Sequence, residues 1–406
     1  MVQLPVYMDY HATTPCDAQV LQAMMPYFSG QFGNASSKGH LYGWQASEAV
    51  NIAREQLAAL IHAEPGEIIF TSGATESINL ALKGVFEAYS GKGKHIITAA
   101  TEHRAVLDTC VHLEKLGAEV SYLPVLPDGL IDLHLLENSI RPDTILIALM
   151  IANNETGVLL PVKAIGEIAR QHAVPFFTDA TQALGKIPID VMDDGIDLLA
   201  VSAHKLYGPK GTGALYVRRK NPRIRLISQL DGGQQERGLR SGTLNVPGIV
   251  GFGSAAALAQ ETMELNRKNI GVLRNRLEQG LLALDGARLN GHPLERLPTV
   301  TNISFEGIGG GHFLAVLQKE MAISAGSACS SGSPQPSHVL KAMGLNDDQA
   351  HHALRFSLGK YNTADEVEFV IEKVAASLKE VSELKEKIRS DGELRSNEEI
   401  RSFIES

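Results

Sequence analysis

The sequence predicts a doubly wound, mostly parallel α/β sheet joined to a second, smaller α+β domain, and three observations carry that prediction. The chain has 406 residues, enough for two domains at roughly 100–200 residues each. Between about residues 65 and 220 short apolar, β-rich runs alternate with longer amphipathic ones. That is the pattern of strands laid side by side in parallel and covered on both faces by helices. Past a long helical stretch the order changes to short strands separated by helices, which marks the smaller domain.

The strand candidates of the first region are 67–70, 95–100, 120–125, 144–151, 174–178, 198–202 and 213–217. Helical patterns at 77–88, 105–116 and 162–171 lie between them. In such a sheet, function is expected beyond the carboxyl ends of the strands. A helical stretch then runs over 246–284, followed by strands at 302–305, 322–324 and 354–358 and a helix at 366–388. The expected large domain is 15–260. Residues 1–14 and 261–406 form the smaller one, with a Gly/Ser/Pro-rich loop at 324–337 and a charged C-terminal tail.

Hydrophobic residues make up 44% of the chain and charged residues 20%, the composition of an ordinary globular protein. A net charge of −9, spread along the chain, argues against a nucleic-acid partner, which calls for a basic field. No run approaches the roughly 20 apolar residues of a membrane-spanning helix. The opening MVQLPVYMDYHATTP shows neither a basic-then-apolar signal nor an Arg/Ser-rich amphipathic one, so a cytoplasmic protein without membrane contact is expected. Cys16, Cys110 and Cys329 are odd in number and far apart, which excludes a disulfide framework and gives no metal-binding spacing. No metal of its own is expected.

Three segments end a strand in polar residues. In FTSGATES (70–77) small residues precede a helix, so backbone N–H groups can approach an anion; the alternative is an ordinary N-cap by Ser72 or Thr75. In FFTDATQ (176–182) an apolar strand delivers Asp179, whose carboxylate is costly to bury unless paired. It could hold a cationic ring nitrogen or cap the next segment. In SAHKLYGPKG (202–211) Lys205 follows a strand, either as a Schiff-base amine with a lowered pKa or as a surface lysine, with Ser202 and His204 beside it. The glycine patterns GKGKH (91–95) and GPKGTG (208–213) lack phosphate-loop spacing, and GFGSAA (251–256), with no strand before it, reads as helix packing.

An anion cradle, a carboxylate for a pyridinium nitrogen and an amine for an aldehyde are together what pyridoxal phosphate requires. Their order, with HATTP (11–15), FGNASSKGHLYGWQA (32–46), TEHRAVLDTC, NNETG, ERGLRSGTLNV and LRFSLGKYNT (354–363), resembles the class V, fold-type I pyridoxal-phosphate enzymes, and among them the NifS/IscS-type cysteine desulfurases. The match covers nearly the whole chain. Departures are Ala35, where the family often has proline, and the tail after about residue 385.

The resemblance implies the remaining roles. Lys205 would bond the cofactor aldehyde, Asp179 would pair with the pyridinium N–H, and His103 would lie over the ring and move protons. Asn154 and Gln182 would reach the phenolic oxygen and the substrate region, while Ala74, Thr75, Ser202 and His204 would hold the phosphate. Thr243 would come from the neighbouring subunit of a homodimer. Arg355 would pair with the substrate α-carboxylate through its bidentate fork, with Asn154 and Asn34 nearby. Cys329, alone among small residues on the 324–337 loop, would be the nucleophile.

The implied reaction converts L-cysteine to L-alanine and leaves a persulfide on Cys329. An iron–sulfur scaffold or a sulfur carrier for tRNA thiolation would accept the sulfur, and Cys329 would touch a metal only in a scaffold complex. A selenocysteine lyase or another class V aminotransferase would share the fold, and the latter would not need the loop thiol.

Overall fold

The computed structural model describes residues 2–306, 313, 316–325 and 336–390. Its strands in chain order are β1 (Val6–Tyr7), β2 (Ile68–Thr71), β3 (His95–Ala99), β4 (Glu119–Leu123), β5 (Thr144–Ala148), β6 (Phe176–Asp179), β7 (Leu198–Ser202) and β8 (Gly213–Val217). They continue with β9 (Ala287–Leu289), β10 (Val300–Phe305), β11 (Met321–Ala322), β12 (Ser324–Ala325) and β13 (Ala353–Ser357). The chain divides into two units, one of residues 11–268 and 291–298, the other of 1–10, 269–290 and 299–406.

The larger unit is built on a seven-stranded sheet of order β2-β8-β7-β6-β5-β3-β4. From β4 across to β7 every pairing is parallel, while β8 runs antiparallel to both β7 and β2. The reason lies in the connections. A parallel return needs a crossover of about a dozen residues or more, and only 203–212 joins β7 to β8. The chain therefore doubles back, and Lys205 sits in that turn. Strands β3, β5, β6, β7 and β8 are buried along their length, whereas β4, at the edge, is partly exposed.

The helix Ala74–Ala88 packs on this sheet through Ile78, Leu82, Val85 and Phe86, spaced to share one face. Against them lie Ile96, Leu146, Phe177, Leu198 and Leu215. The helix Leu41–Leu60 had no counterpart in the strand–helix alternation read from the sequence. Its inward stripe is largely alanine (Ala46, Ala49, Ala53), which gives little hydrophobic contrast. The small stripe permits close approach: a Cβ on Gly253 would fall 2.4 Å from the Ala53 Cα, so GFGSAA is a helix-packing motif.

The smaller unit holds an antiparallel sheet of order β12-β13-β10-β9 and the parallel pair β1-β11. Its core joins Val6, Met8, Leu277, Leu281, Phe305 and Phe356 to Val367, Val370 and Val374 of the helix Ala364–Ser390. Residues 291–298 return to the larger unit, where Leu159 N–H donates to the Glu295 carbonyl at 2.9 Å and Leu297 N–H to that of Gly157 at 2.9 Å. Among the described residues no helix is long and apolar enough to cross a membrane, and no cluster of His, Cys, Asp and Glu could hold a metal ion.

Candidate active site

A cavity of about 590 Å³ opens in the larger unit beyond the carboxyl ends of the parallel strands. Its lining comes from five places: Ser72–Thr75 after β2, His103 after β3, Met150, Ala152 and Asn154 after β5, Asp179 and Gln182 at the end of β6, and Ser202, His204 and Lys205 after β7. Ala12, Thr13, Glu76, Ile78, Thr181, Lys210 and Gly211 complete it. The three polar strand ends found in the sequence thus converge on one space, as parallel strands with a shared carboxyl end require.

At the β2 end neither Ser72 nor Thr75 is the N-cap. The N-cap of the Ala74–Ala88 helix is Gly73, and no side chain caps it. The first N–H groups and the positive end of the helix dipole therefore face the cavity. Two glycines make the approach possible: a Cβ on Gly213 would fall 2.6 Å from the Gly73 backbone. Glu76 also lines the cavity, its carboxylate accepting from Ser72 N–H at 2.8 Å and pairing with Arg240 Nε at 2.8 Å.

Asp179 is buried at the end of β6, and its Oδ1 accepts the Thr181 N–H at 2.9 Å, so it also makes the local turn. His103 caps the helix Arg104–Lys115 by accepting Ala105 N–H at Nδ1 (3.1 Å), which puts the proton of the neutral ring on Nε2. The residue before it, Glu102, is fully buried and accepts Met150 N–H at 2.7 Å. Burial pushes its carboxyl well above the usual carboxylate range; the Met150 N–H opposes that, and the Asp179 charge reinforces it.

Lys205 ends a single 3-10 turn, Ala203–Lys205, and is half-buried. His204 beside it bonds through Nδ1 to the Thr13 hydroxyl at 3.1 Å. Burial, with the charges of Lys205, Lys210 and Lys186, pushes the His204 ring down to about 4, so it is neutral at physiological pH. Neutral histidine, lysines and an uncapped helix start are a donor set for an anion.

The other expected site residues have partners of their own or are exposed. Gln182 does line the cavity, but its amide is engaged, donating to the His11 carbonyl at 2.9 Å and accepting from Lys186 Nζ at 2.9 Å. Asn34 is exposed and its Oδ1 accepts from Ser36 N–H at 2.9 Å. Thr243 is exposed on the segment after Arg240. Arg355, on β13 of the smaller unit, is buried, and its Nη2 donates to Asp9 Oδ1 at 2.7 Å and Ser324 Oγ at 2.9 Å. Cys329 and most of the 324–337 loop lie outside the described residues. Cys110 is buried in the core, where burial pushes its thiol up to about 12. Sequence reasoning passed over Glu102 and the threonines of HATTP; each sat inside a motif already singled out for its neighbours.

Residues 6–370 match the aminotransferase class-V family. The chain belongs to that family and, within it, to the cysteine desulfurases. It is 52% identical over 384 residues to "Cysteine desulfurase IscS" of Anaeromyxobacter sp. (strain Fw109-5), covering 94% of this chain and 95% of that protein. Among solved structures a NifS-like protein superposes with a TM-score of 0.87 at 38% identity, over 93% of this chain and 100% of that one. SspA in complex with cysteine matches with a TM-score of 0.77 at 40% identity, over 88% of this chain and 100% of that one.

Proposed function

We propose that this cysteine desulfurase binds pyridoxal 5′-phosphate in the 590 Å³ cavity and moves the sulfur of L-cysteine onto Cys329, releasing L-alanine. One observation carries the reading: the Lys205 amine, the Asp179 carboxylate and the uncapped helix start at Ala74 line a single cavity. That set fits the group: the uncapped helix start offers N–H donors to its phosphate, and around the Cβ position of Gly73, which lines the cavity, nothing lies within 4 Å. Bound there, the cofactor supplies an aldehyde for amines and a cationic ring that stabilises negative charge on the substrate carbon.

In this assignment Lys205 would be the amine that bonds the cofactor aldehyde and, when free, the base that takes the substrate α-proton. Asp179 holds the ring nitrogen protonated. Ala74, Thr75, Ser202 and neutral His204 donate to the phosphate, and Thr243 reaches the same phosphate in a second copy of the chain. His103 would offer Nε2–H to the cofactor ring and move protons there, and Asn154 and Gln182 would bind its phenolic oxygen. Arg355, one nitrogen of which Asp9 and Ser324 fix, binds the substrate carboxylate with Asn34 and Asn154. The Cys329 thiolate would attack the substrate sulfur; the carbon–sulfur electron pair would leave with the β-carbon, which takes a proton to become the alanine methyl, while the sulfur stays on Cys329 as a persulfide. The acceptor is an iron–sulfur scaffold or a sulfur carrier in the cytoplasm.

A homodimer accords with Phe28, Phe32, Leu41, Tyr42 and Trp44, large apolar side chains left exposed in one stretch of the larger unit. The test is release of sulfide and alanine from cysteine with a reductant present. Wild type should be yellow and active. Lys205→Ala should be colourless, and Cys329→Ala should keep the colour while forming no persulfide. Full desulfurase activity in Cys329→Ala would remove the thiol from the mechanism, and transamination by that variant would identify an aminotransferase.

A further inference from the structure

The HATTP segment supplies Thr13 to the cavity, yet its next residue faces the backbone that carries the amine. Thr14 is 3% exposed. Its hydroxyl donates to the His204 carbonyl at 3.0 Å and accepts the Tyr207 N–H at 2.9 Å. Its own N–H donates to that same carbonyl at 2.9 Å, and Asp17 N–H donates to the Tyr207 carbonyl at 2.9 Å. The turn's internal bonds, by contrast, converge on the Ala203 carbonyl, from Leu206 N–H at 2.9 Å and Gly208 N–H at 3.0 Å. They leave the groups flanking Lys205 to residue 14. Tyr207 needs the help, because its φ of 61° is a left-handed conformation that costs a non-glycine residue energy.

We propose that Thr14 is the positioning residue for Lys205: one buried hydroxyl brackets residue 205 from both sides and fixes the turn that presents its amine to the cavity. The inference rests on reading Lys205 as the cofactor-bonding amine. A hydroxyl is required because it must donate and accept at once, and valine, of the same shape, does neither.

Wild type, Thr14→Val, Thr14→Ser and Lys205→Ala are compared in two measurements. The first is amide hydrogen exchange in cofactor-free protein. Thr14→Val should raise exchange over 203–208 by about tenfold, the size expected for one unmade buried hydrogen bond, and leave 144–148 unchanged. The second is the rate at which added pyridoxal phosphate becomes reducible by borohydride onto residue 205. That rate should fall about tenfold in Thr14→Val and stay within about twofold of wild type in Thr14→Ser. Wild-type exchange and attachment in Thr14→Val would overturn the proposal, as would a Thr14→Ser variant as impaired as the valine. Should Thr14→Val not fold, it is made on Tyr207→Gly, where the left-handed turn is free of strain; attachment as slow as if the hydroxyl still mattered in full would overturn the strain argument. Loosened exchange in Thr14→Val, with no label on residue 205 even in wild type, would uphold the clamp and sink the cofactor reading.

Discussion

Arg54 and Glu236 form a buried ion pair, Nη2 to Oε1 2.6 Å, that ties together three separate segments of the larger unit. The other Glu236 oxygen accepts from Arg54 Nη1 at 2.9 Å and from Phe70 N–H at 2.7 Å, while Arg54 Nη1 also reaches the Ile68 carbonyl at 2.6 Å. The pair thereby fixes strand β2, which leads into the uncapped helix start, to the segment leading to Thr243. Glu236 and Arg237 adopt left-handed φ values of 45° and 60°, a strain the pair must hold. Glu236→Gln leaves a buried guanidinium uncompensated and should cost about 3–5 kcal/mol of stability. Urea unfolding checks this, and a loss below about 1 kcal/mol would show that the pair is dispensable.

Glu102 gives the protein a stability slope of opposite sign to that of most carboxylates. Burial raises its folded-state pKa far above the unfolded value, so between the two the folded chain keeps a proton that the unfolded chain has lost. Stability attributable to this residue is present at acid pH and declines as pH rises above the ordinary carboxylate range. Glu102→Gln, neutral in both states, should lose less melting temperature than wild type between pH 5 and pH 8. Parallel curves would mean that Glu102 is ionised in the fold.

His204 works in the other direction. Its folded pKa of about 4 lies below the ordinary 6.5, so as pH falls through that interval the unfolded chain gains a proton that the folded one refuses. Wild type should therefore lose stability between pH 6.5 and pH 4.5 more steeply than His204→Gln. Adding inorganic phosphate should raise the His204 pKa, because an anion in the cradle favours the imidazolium. An NMR titration of the ring reads this directly, and an unmoved pKa would argue that the anion binds elsewhere.

Gly213→Ala probes the cradle without touching charge. Its Cβ would meet the Gly73 backbone at 2.6 Å and the Val201 carbonyl at 2.7 Å, forcing β8 away from the helix start. Overpacking of this kind costs about 1–3 kcal/mol, and retention of the proposed pyridoxal phosphate should fall with it. Unchanged thermal stability and colour would show that the strand end can shift without loss.

The sheet was legible because its strands are continuous apolar runs. The expected spans 198–202, 213–217 and 162–171 coincide with β7, β8 and the helix Val162–Gln171. Ends set by turns were less so: 144–151 reads as one apolar run, but β5 stops at Ala148 because the chain then leaves the ladder to line the cavity. The antiparallel course of β8 follows from connection length, which is visible in the sequence only once both strands are fixed. Glu102 was invisible as a site residue, since nothing local distinguishes a carboxyl buried beside Asp179 from one in water.

Residue order alone determined the fold class, the three polar strand ends and the family to which they belong, because periodicity and local turn chemistry are written in neighbouring residues. Tertiary structure decided what surrounds those ends: that Gly73 leaves its helix uncapped, that His204 is held neutral by burial and nearby lysines, and that Thr14, 191 positions before Lys205, bonds the turn bearing it. Those outcomes depend on burial and on partners distant in the chain, and such energies exist only after the strands have been brought side by side.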